Sequence, residues 1–201
     1  MKTASLGFRV KSGWATTVLV GGPPASPQVL DHGIVQLSDP ALPASRQPFH
    51  GGTGQEERDG RKVARRVAGI RRFARRSVAD LIKRYRAAGH RLRGVAVVAG
   101  SDIEPDRIAN PHIRAHAQEG KLFRTVLEDG ARRAGLPCLT VLERDLFAQA
   151  AQALGRPAPD LKRAVTALGR GGRGGRGRDG GWRAEEKAAT LAAWLVLRGT
   201  R

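Results

Sequence analysis

Gly94-Val95-Ala96-Val97-Val98-Ala99-Gly100, followed after a loop by Asn110-Pro111-His112-Ile113-Arg114-Ala115-His116-Ala117-Gln118-Glu119, decides how this chain is read. An unbroken apolar run rich in valine and bounded by glycines describes a short strand covered on both faces, the habit of parallel sheets. The second segment begins a helix: Asn110 is a good N-cap, and Pro111 fits the first helical position, where a missing N–H is no loss. At about 100° per residue, His112, His116 and Glu119 fall within roughly 60° of one another, and Phe123 and Leu127 continue nearly the same stripe. Ionisable groups thus share the inward face with apolar ones. Taking them out of water costs free energy unless they are paired, metal-bound or used, so the first turns of this helix are the leading candidate for a site.

Downstream, the helix is expected to reach about Ala134, and Gly135-Leu136-Pro137 leads into a second apolar strand, Cys138 to Leu142. Upstream, Ser5–Val10 and Trp14–Val20 read as a hairpin around Lys11-Ser12-Gly13, and a third strand at about Gly33–Leu37 follows the Gly21-Gly22-Pro23-Pro24 break. The 38–60 segment, rich in Pro, Gly and Ser and without periodicity, reads as a long mobile loop. A long helix follows from about Arg61 to Ala88, with Val63, Val67, Ile70, Ala74, Val78, Leu81 and Tyr85 on one stripe and arginines over much of the rest. Helices near Asp145–Leu154, Pro159–Leu168 and Ala184–Arg198 complete the pattern, and an Arg-Gly tract at Arg170–Arg178 reads as a flexible loop spanning about 169–181. Short apolar strands alternating with helices give an α/β fold, here a single domain over 1–201 with an antiparallel meander followed by parallel strands.

The 201 residues carry 36 Lys and Arg against 18 Asp and Glu, a formal charge of +18. Such a field attracts polyanions, nucleic acid first, and Arg-Gly tracts are also found in contact with single strands. Cys138 is the only cysteine, which excludes an intramolecular disulfide, and its apolar setting reads as a small buried hydrophobe. The N-terminus lacks a continuous apolar leader, and the apolar stretch at 188–197 is far shorter than the roughly 20 residues of a bilayer span, so a cytoplasmic protein without a membrane partner is expected. Phosphate-cradling Gly-x-x-x-x-Gly-Lys, Gly-x-Ser-x-Gly and Cys-x-x-Cys motifs are absent.

Three antiparallel strands, then helix, strand, helix, strand and helices, resembles the ribonuclease H-like superfamily, in its Holliday-junction-resolvase-like branch, over Ser5 to Leu197. The resemblance implies a three-layer fold and an acid at the hairpin turn, yet Val10-Lys11-Ser12-Gly13-Trp14 places Lys11 there. It implies a second metal-binding acid on the last helix, where Lys187-Ala188-Ala189-Thr190-Leu191-Ala192 places Lys187, with Glu186 beside it. Two-metal phosphodiester cleavage needs several carboxylates to hold its ions, and lysines repel them. The usual centre is therefore expected to be replaced, unless Asp102, Glu119 or Glu186 supplies it.

Ligands of open α/β sheets gather at the carboxyl ends of parallel strands, where Gly100, Ser101 and Asp102 lie. Lys11, Ser12 and Trp14 at the turn and Lys187 on the last helix are expected to converge there with His112, His116 and Glu119. Three readings of the cluster stay open: a zinc-like divalent metal site, a metal-free acid/base site, or imidazoles satisfied by backbone groups and by Arg124 and Asp102. His32, His50 and His90 carry no motif. The leading expectation is a nucleic-acid-binding protein, with Lys11, Ser12, Trp14, Arg65, Arg72, Arg76, Arg114 and Lys187 as anion contacts. The alternatives are a hydrolase or other enzyme using Asp102, His112, His116 and Glu119 on an anionic substrate, or a protein-interaction domain.

Overall fold

In the computed structural model, which describes residues 2–51, 54–171 and 182–199, a five-stranded sheet carries helices on both faces. Its strands are β1 (Lys2–Lys11), β2 (Trp14–Gly21), β3 (Gln28–Gln36), β4 (His90–Ala99) and β5 (Cys138–Leu142), in the order β3-β2-β1-β4-β5. The first three form an antiparallel meander, whereas β4 runs parallel to both β1 and β5. The helices are α1 (Gly60–Ala87), α2 (Pro111–Arg133), α3 (Leu146–Leu154), α4 (Ala158–Gly171) and α5 (Ala184–Arg198).

The hairpin turns because Gly13 takes φ +86°, a conformation that side-chain-bearing residues rarely adopt, and its carbonyl accepts hydrogen bonds from the Leu37 and Ser38 amides at 2.8 and 3.0 Å. Strand alternation then divides β1 between two cores. Ala4, Leu6, Phe8 and Val10 pack with Ile70, Ala74 and Val78 of α1 and Phe123 and Leu127 of α2. On the other face, Ala96, Val98 and Val141 pack with Leu191, Ala192 and Trp194 of α5 and with residues of α3 and α4. Helix α5 lies so close to β1 that a Cβ at Gly7 would collide with the Ala189 carbonyl oxygen.

The helix starts follow from their caps. Asp59 accepts from the Arg61 and Lys62 amides at 2.9 and 3.1 Å, and Asn110 Oδ1 accepts from the Ile113 amide at 3.1 Å. Strand β3 begins earlier than expected, because the ladder to β2 extends to Gln28, Val29 is buried in the core, and Asp31 accepts from the Tyr85 hydroxyl at 2.9 Å. One expectation is corrected: Cys138 is exposed, because β5 is an edge strand. In the described part of the 38–60 segment, Pro43–Ser45 forms a 3-10 turn, Phe49 packs against the core, and His50 bridges Glu56. The Arg-Gly tract from residue 172 lies outside the described residues, and among them no helix is long and apolar enough to cross a membrane.

Gly7→Val is expected to overpack the α5–β1 contact and destabilise by about 3 kcal/mol. Gly120→Ala, on the exposed side of α2 where nothing lies within 4 Å, is expected to stabilise by up to about 1 kcal/mol. Urea denaturation of the two variants beside the wild type checks both.

Candidate functional site

The first turns of α2 do present His112, His116 and Glu119 together, but the residue that organises them comes from the 38–60 segment. His50 Nδ1 lies 2.7 Å from Glu119 Oε1, and His116 Nδ1 lies 3.4 Å from Glu119 Oε2. His112 Nδ1 is 2.8 Å from the Gly54 carbonyl oxygen, so it donates there. The three imidazole centroids are 4.4 to 5.2 Å apart. His50 and Glu119 are buried, whereas His112 and His116 face solvent.

Side chains from both helices hold His50 in place. Arg66 of α1 donates to the Pro48 and His50 carbonyls at 3.1 and 3.0 Å. Arg114 of α2 grips Glu56 with two parallel hydrogen bonds, at 3.0 and 2.5 Å, and donates a third to the Ile108 carbonyl. Arg114, expected as an anion contact, is therefore engaged as a clamp. Burial pushes Glu119 up to about 7, against the opposing pull of His116, the Phe49 backbone and His112. Burial also lowers His50, and the neighbouring His112 adds to this. Burial thus works against charge on both members of the pair.

The hairpin turn and the start of α5 also meet, through Lys11 Nζ and Glu185 Oε1 at 3.1 Å. The lysine holds the Glu185 carboxyl below the usual range, chiefly through this hydrogen bond. Beside them, the buried Arg9 makes a two-pronged contact with Glu143, Nε to Oε1 at 3.1 Å and Nη2 to Oε2 at 2.5 Å. Asp102 pairs with Arg144 at 3.3 Å rather than with the histidines, and Arg124 reaches Glu128 and the Ser101 carbonyl. Glu186 turns back to accept from the Arg183 amide at 3.0 Å as part of a capping box. Ser12 is exposed, and Trp14 and Lys187 are half-buried.

The expected convergence of Lys11, Asp102 and Lys187 with the α2 histidines is thus corrected. Arg9 and Lys11 alternate with Phe8 and Val10, so they lie on the α5 face of the sheet, while His112, His116 and Glu119 belong to a helix on the opposite face. His50, Arg9 and Glu185 were not among the expected site residues. Phe49 beside His50 was an apolar signal in a largely polar segment, and an arginine inside the apolar Phe8-Arg9-Val10 run signalled a buried charge in need of a partner.

A third feature lies on α1. Arg65, Arg72 and Arg76 are exposed and, with Leu42, Ile70 and Phe73, line a groove of about 510 Å³ between α1 and the 39–45 segment. None of these three arginines has a carboxylate partner among the described residues.

The chain is similar to the solved structure of RuvC from Thermus thermophilus, with a TM-score of 0.52 and 17% identity over 97% of this chain and 92% of that one. The fold is ribonuclease H-like. T. thermophilus RuvC in complex with Holliday junction substrate matches this frame equally, with a TM-score of 0.52 and 16% identity over 97% and 91% of the two chains. No family model matches the chain, and no curated protein does.

Within this ribonuclease H-like frame, His50→Ala is expected to destabilise by about 3 kcal/mol, because it leaves Glu119 buried without its nearest partner. Lys11→Ala breaks a partly exposed pair and is expected to cost about 1 kcal/mol or less. Thermal and urea unfolding of the two variants give the comparison.

Proposed function

We propose that this protein binds nucleic acid along the arginine-rich side of α1, on a ribonuclease H-like frame whose sheet edge is no longer equipped for two-metal cleavage. The observation that carries the binding half is the α1 groove. Arg65, Arg72 and Arg76 project into it without a carboxylate partner among the described residues, in a chain of net charge +18. Planar guanidinium groups spaced along a helix suit phosphate oxygens, and leucine and phenylalanine in the same groove suit the apolar faces of sugars or bases. The RuvC structure with bound Holliday junction supports the reading, since that protein of the same fold takes a nucleic-acid substrate.

The cleavage half rests on the carboxylates near the hairpin and the ends of β4 and β5. Glu143, Glu185 and Asp102 are each matched by a cation, Arg9, Lys11 and Arg144. A magnesium pair would have to displace those cations while being repelled by them. The same lysine and arginine side chains are suited to hold a phosphate without cutting it.

Fluorescence anisotropy with labelled duplex, four-way junction and single-stranded DNA tests this reading. Binding is expected to weaken steeply between about 50 and 200 mM salt. The triple variant Arg65→Glu, Arg72→Glu, Arg76→Glu is expected to lose at least about tenfold in affinity and to show a shallower salt dependence. Absence of binding at low salt, or equal affinity of the triple variant, defeats the binding half. Magnesium-dependent cleavage of any of the three probes by the wild type defeats the other.

A further inference from the structure

Among the described residues, one group of three or more His, Cys, Asp or Glu side chains lies close enough to share an ion: His50, His112 and His116, whose ligand atoms all fall within 4.8 Å of one another. We propose that these three histidines bind a zinc-like divalent transition-metal ion through their Nε2 atoms, with Glu119 orienting His50 from behind and the fourth ligand position open to solvent.

The tautomers argue for it first. Two rings donate from Nδ1 to an oxygen, His50 to Glu119 Oε1 at 2.7 Å and His112 to the Gly54 carbonyl at 2.8 Å, while His116 Nδ1 lies 3.4 Å from Glu119 Oε2 without a hydrogen bond between them. Metal-bound histidines are held in this way, one nitrogen donating to a carboxylate or carbonyl while the other keeps its lone pair for the ion. His50 and His112 are so oriented that each keeps its Nε2 lone pair, and the exposed His116 has no hydrogen bond that holds its ring otherwise.

The second argument is a buried polar atom without a partner. His50 Nε2 is shielded from solvent and receives no hydrogen bond, although its ring is fixed from the other side by Glu119. An imidazole lone pair left unmatched in the interior costs roughly 1–3 kcal/mol, which a metal bond would remove. A cluster satisfied only by its own hydrogen bonds has no use for that atom.

Geometry and ligand chemistry fix the class of ion. Tetrahedral zinc with Zn–N bonds of 2.0–2.1 Å sets neighbouring nitrogens about 3.3 Å apart. Reaching that value from the present spread of up to 4.8 Å requires His112 and His116, the two exposed rings, to shift towards the buried His50, the fixed ligand. Three neutral imidazoles suit zinc, copper, nickel or iron, whereas magnesium and calcium require oxygen ligands. Glu119 supplies a negative charge next to the ion without occupying a ligand position. Because His112 and His116 face solvent, the remaining position admits water or an exchangeable anion, as in three-histidine catalytic zinc sites rather than closed structural ones. An ion here would also tie the segment around His50 to α2.

The test uses the untagged full chain, stripped with chelator and titrated with zinc chloride by calorimetry and with cobalt chloride by visible absorption. One ion per chain, a tetrahedral cobalt spectrum and X-ray absorption showing nitrogen neighbours without sulfur are expected. His112→Ala and His116→Ala alter exposed residues, keep the far-ultraviolet circular dichroism of the wild type, and each lower zinc affinity at least tenfold. Glu119→Gln lowers it by about 10–100-fold. Cys138→Ser leaves it unchanged. No zinc uptake by the wild type, uptake that survives the His112→Ala, His116→Ala double variant, or sulfur in the ligand shell overturns the site. Unaltered affinity in Glu119→Gln overturns the assignment of that carboxylate.

Discussion

A central strand can be covered from both sides only if its two rows of side chains differ in what they admit, and β1 shows how this chain meets that demand. One row carries Leu6, Phe8 and Val10 and supports the long helices α1 and α2. The other has Gly7 where the backbone of α5 comes to rest, followed by Arg9 and Lys11. Close seating of α5 requires small residues, which accounts for Ala188, Ala189, Ala192 and Ala193 along that helix. The same seating delivers Glu185 to Lys11. Packing on one turn of the helix thereby fixes an ion pair on the preceding turn.

On the other side, the decisive group is Glu119, a carboxyl with no solvent exposure inside an otherwise apolar stripe of α2. Isolated, it would be costly, and Phe49 and His50 are placed to meet that need. His50 approaches its first oxygen and His116 its second, while Arg66 and Arg114 secure the segment around His50 from α1 and α2. Pro48, His50 and Glu56 thus obtain their places from a handful of polar contacts to two helices.

Much of this architecture was legible in the sequence because it rests on local rules. The cap at Asn110, the glycine of the hairpin turn, the stripe on α1 and the run at Cys138–Leu142 each announce an element within a few residues. The helical face of His112, His116 and Glu119 was readable for the same reason. His50 was not, since it is 69 residues from Glu119 in the chain and sits in a segment whose shape is set by distant partners. The Arg9–Glu143 pair spans 134 residues and escaped notice on similar grounds. Two apolar runs that look alike, in β4 and β5, differ in exposure because sheet order is a property of the whole fold: β4 is flanked on both sides, and β5 on one.

The sheet also acts as a partition. The Lys11–Glu185 pair and the Glu119 cluster lie on opposite sides of a hydrogen-bonded layer whose interior is filled by valine, leucine and phenylalanine, so neither touches the other. Two polar centres separated in this way are free to drift independently: a lineage can remodel the charges beside the hairpin without disturbing the histidines, and the reverse. One small frame thereby offers two compartments for chemistry, each with its own history.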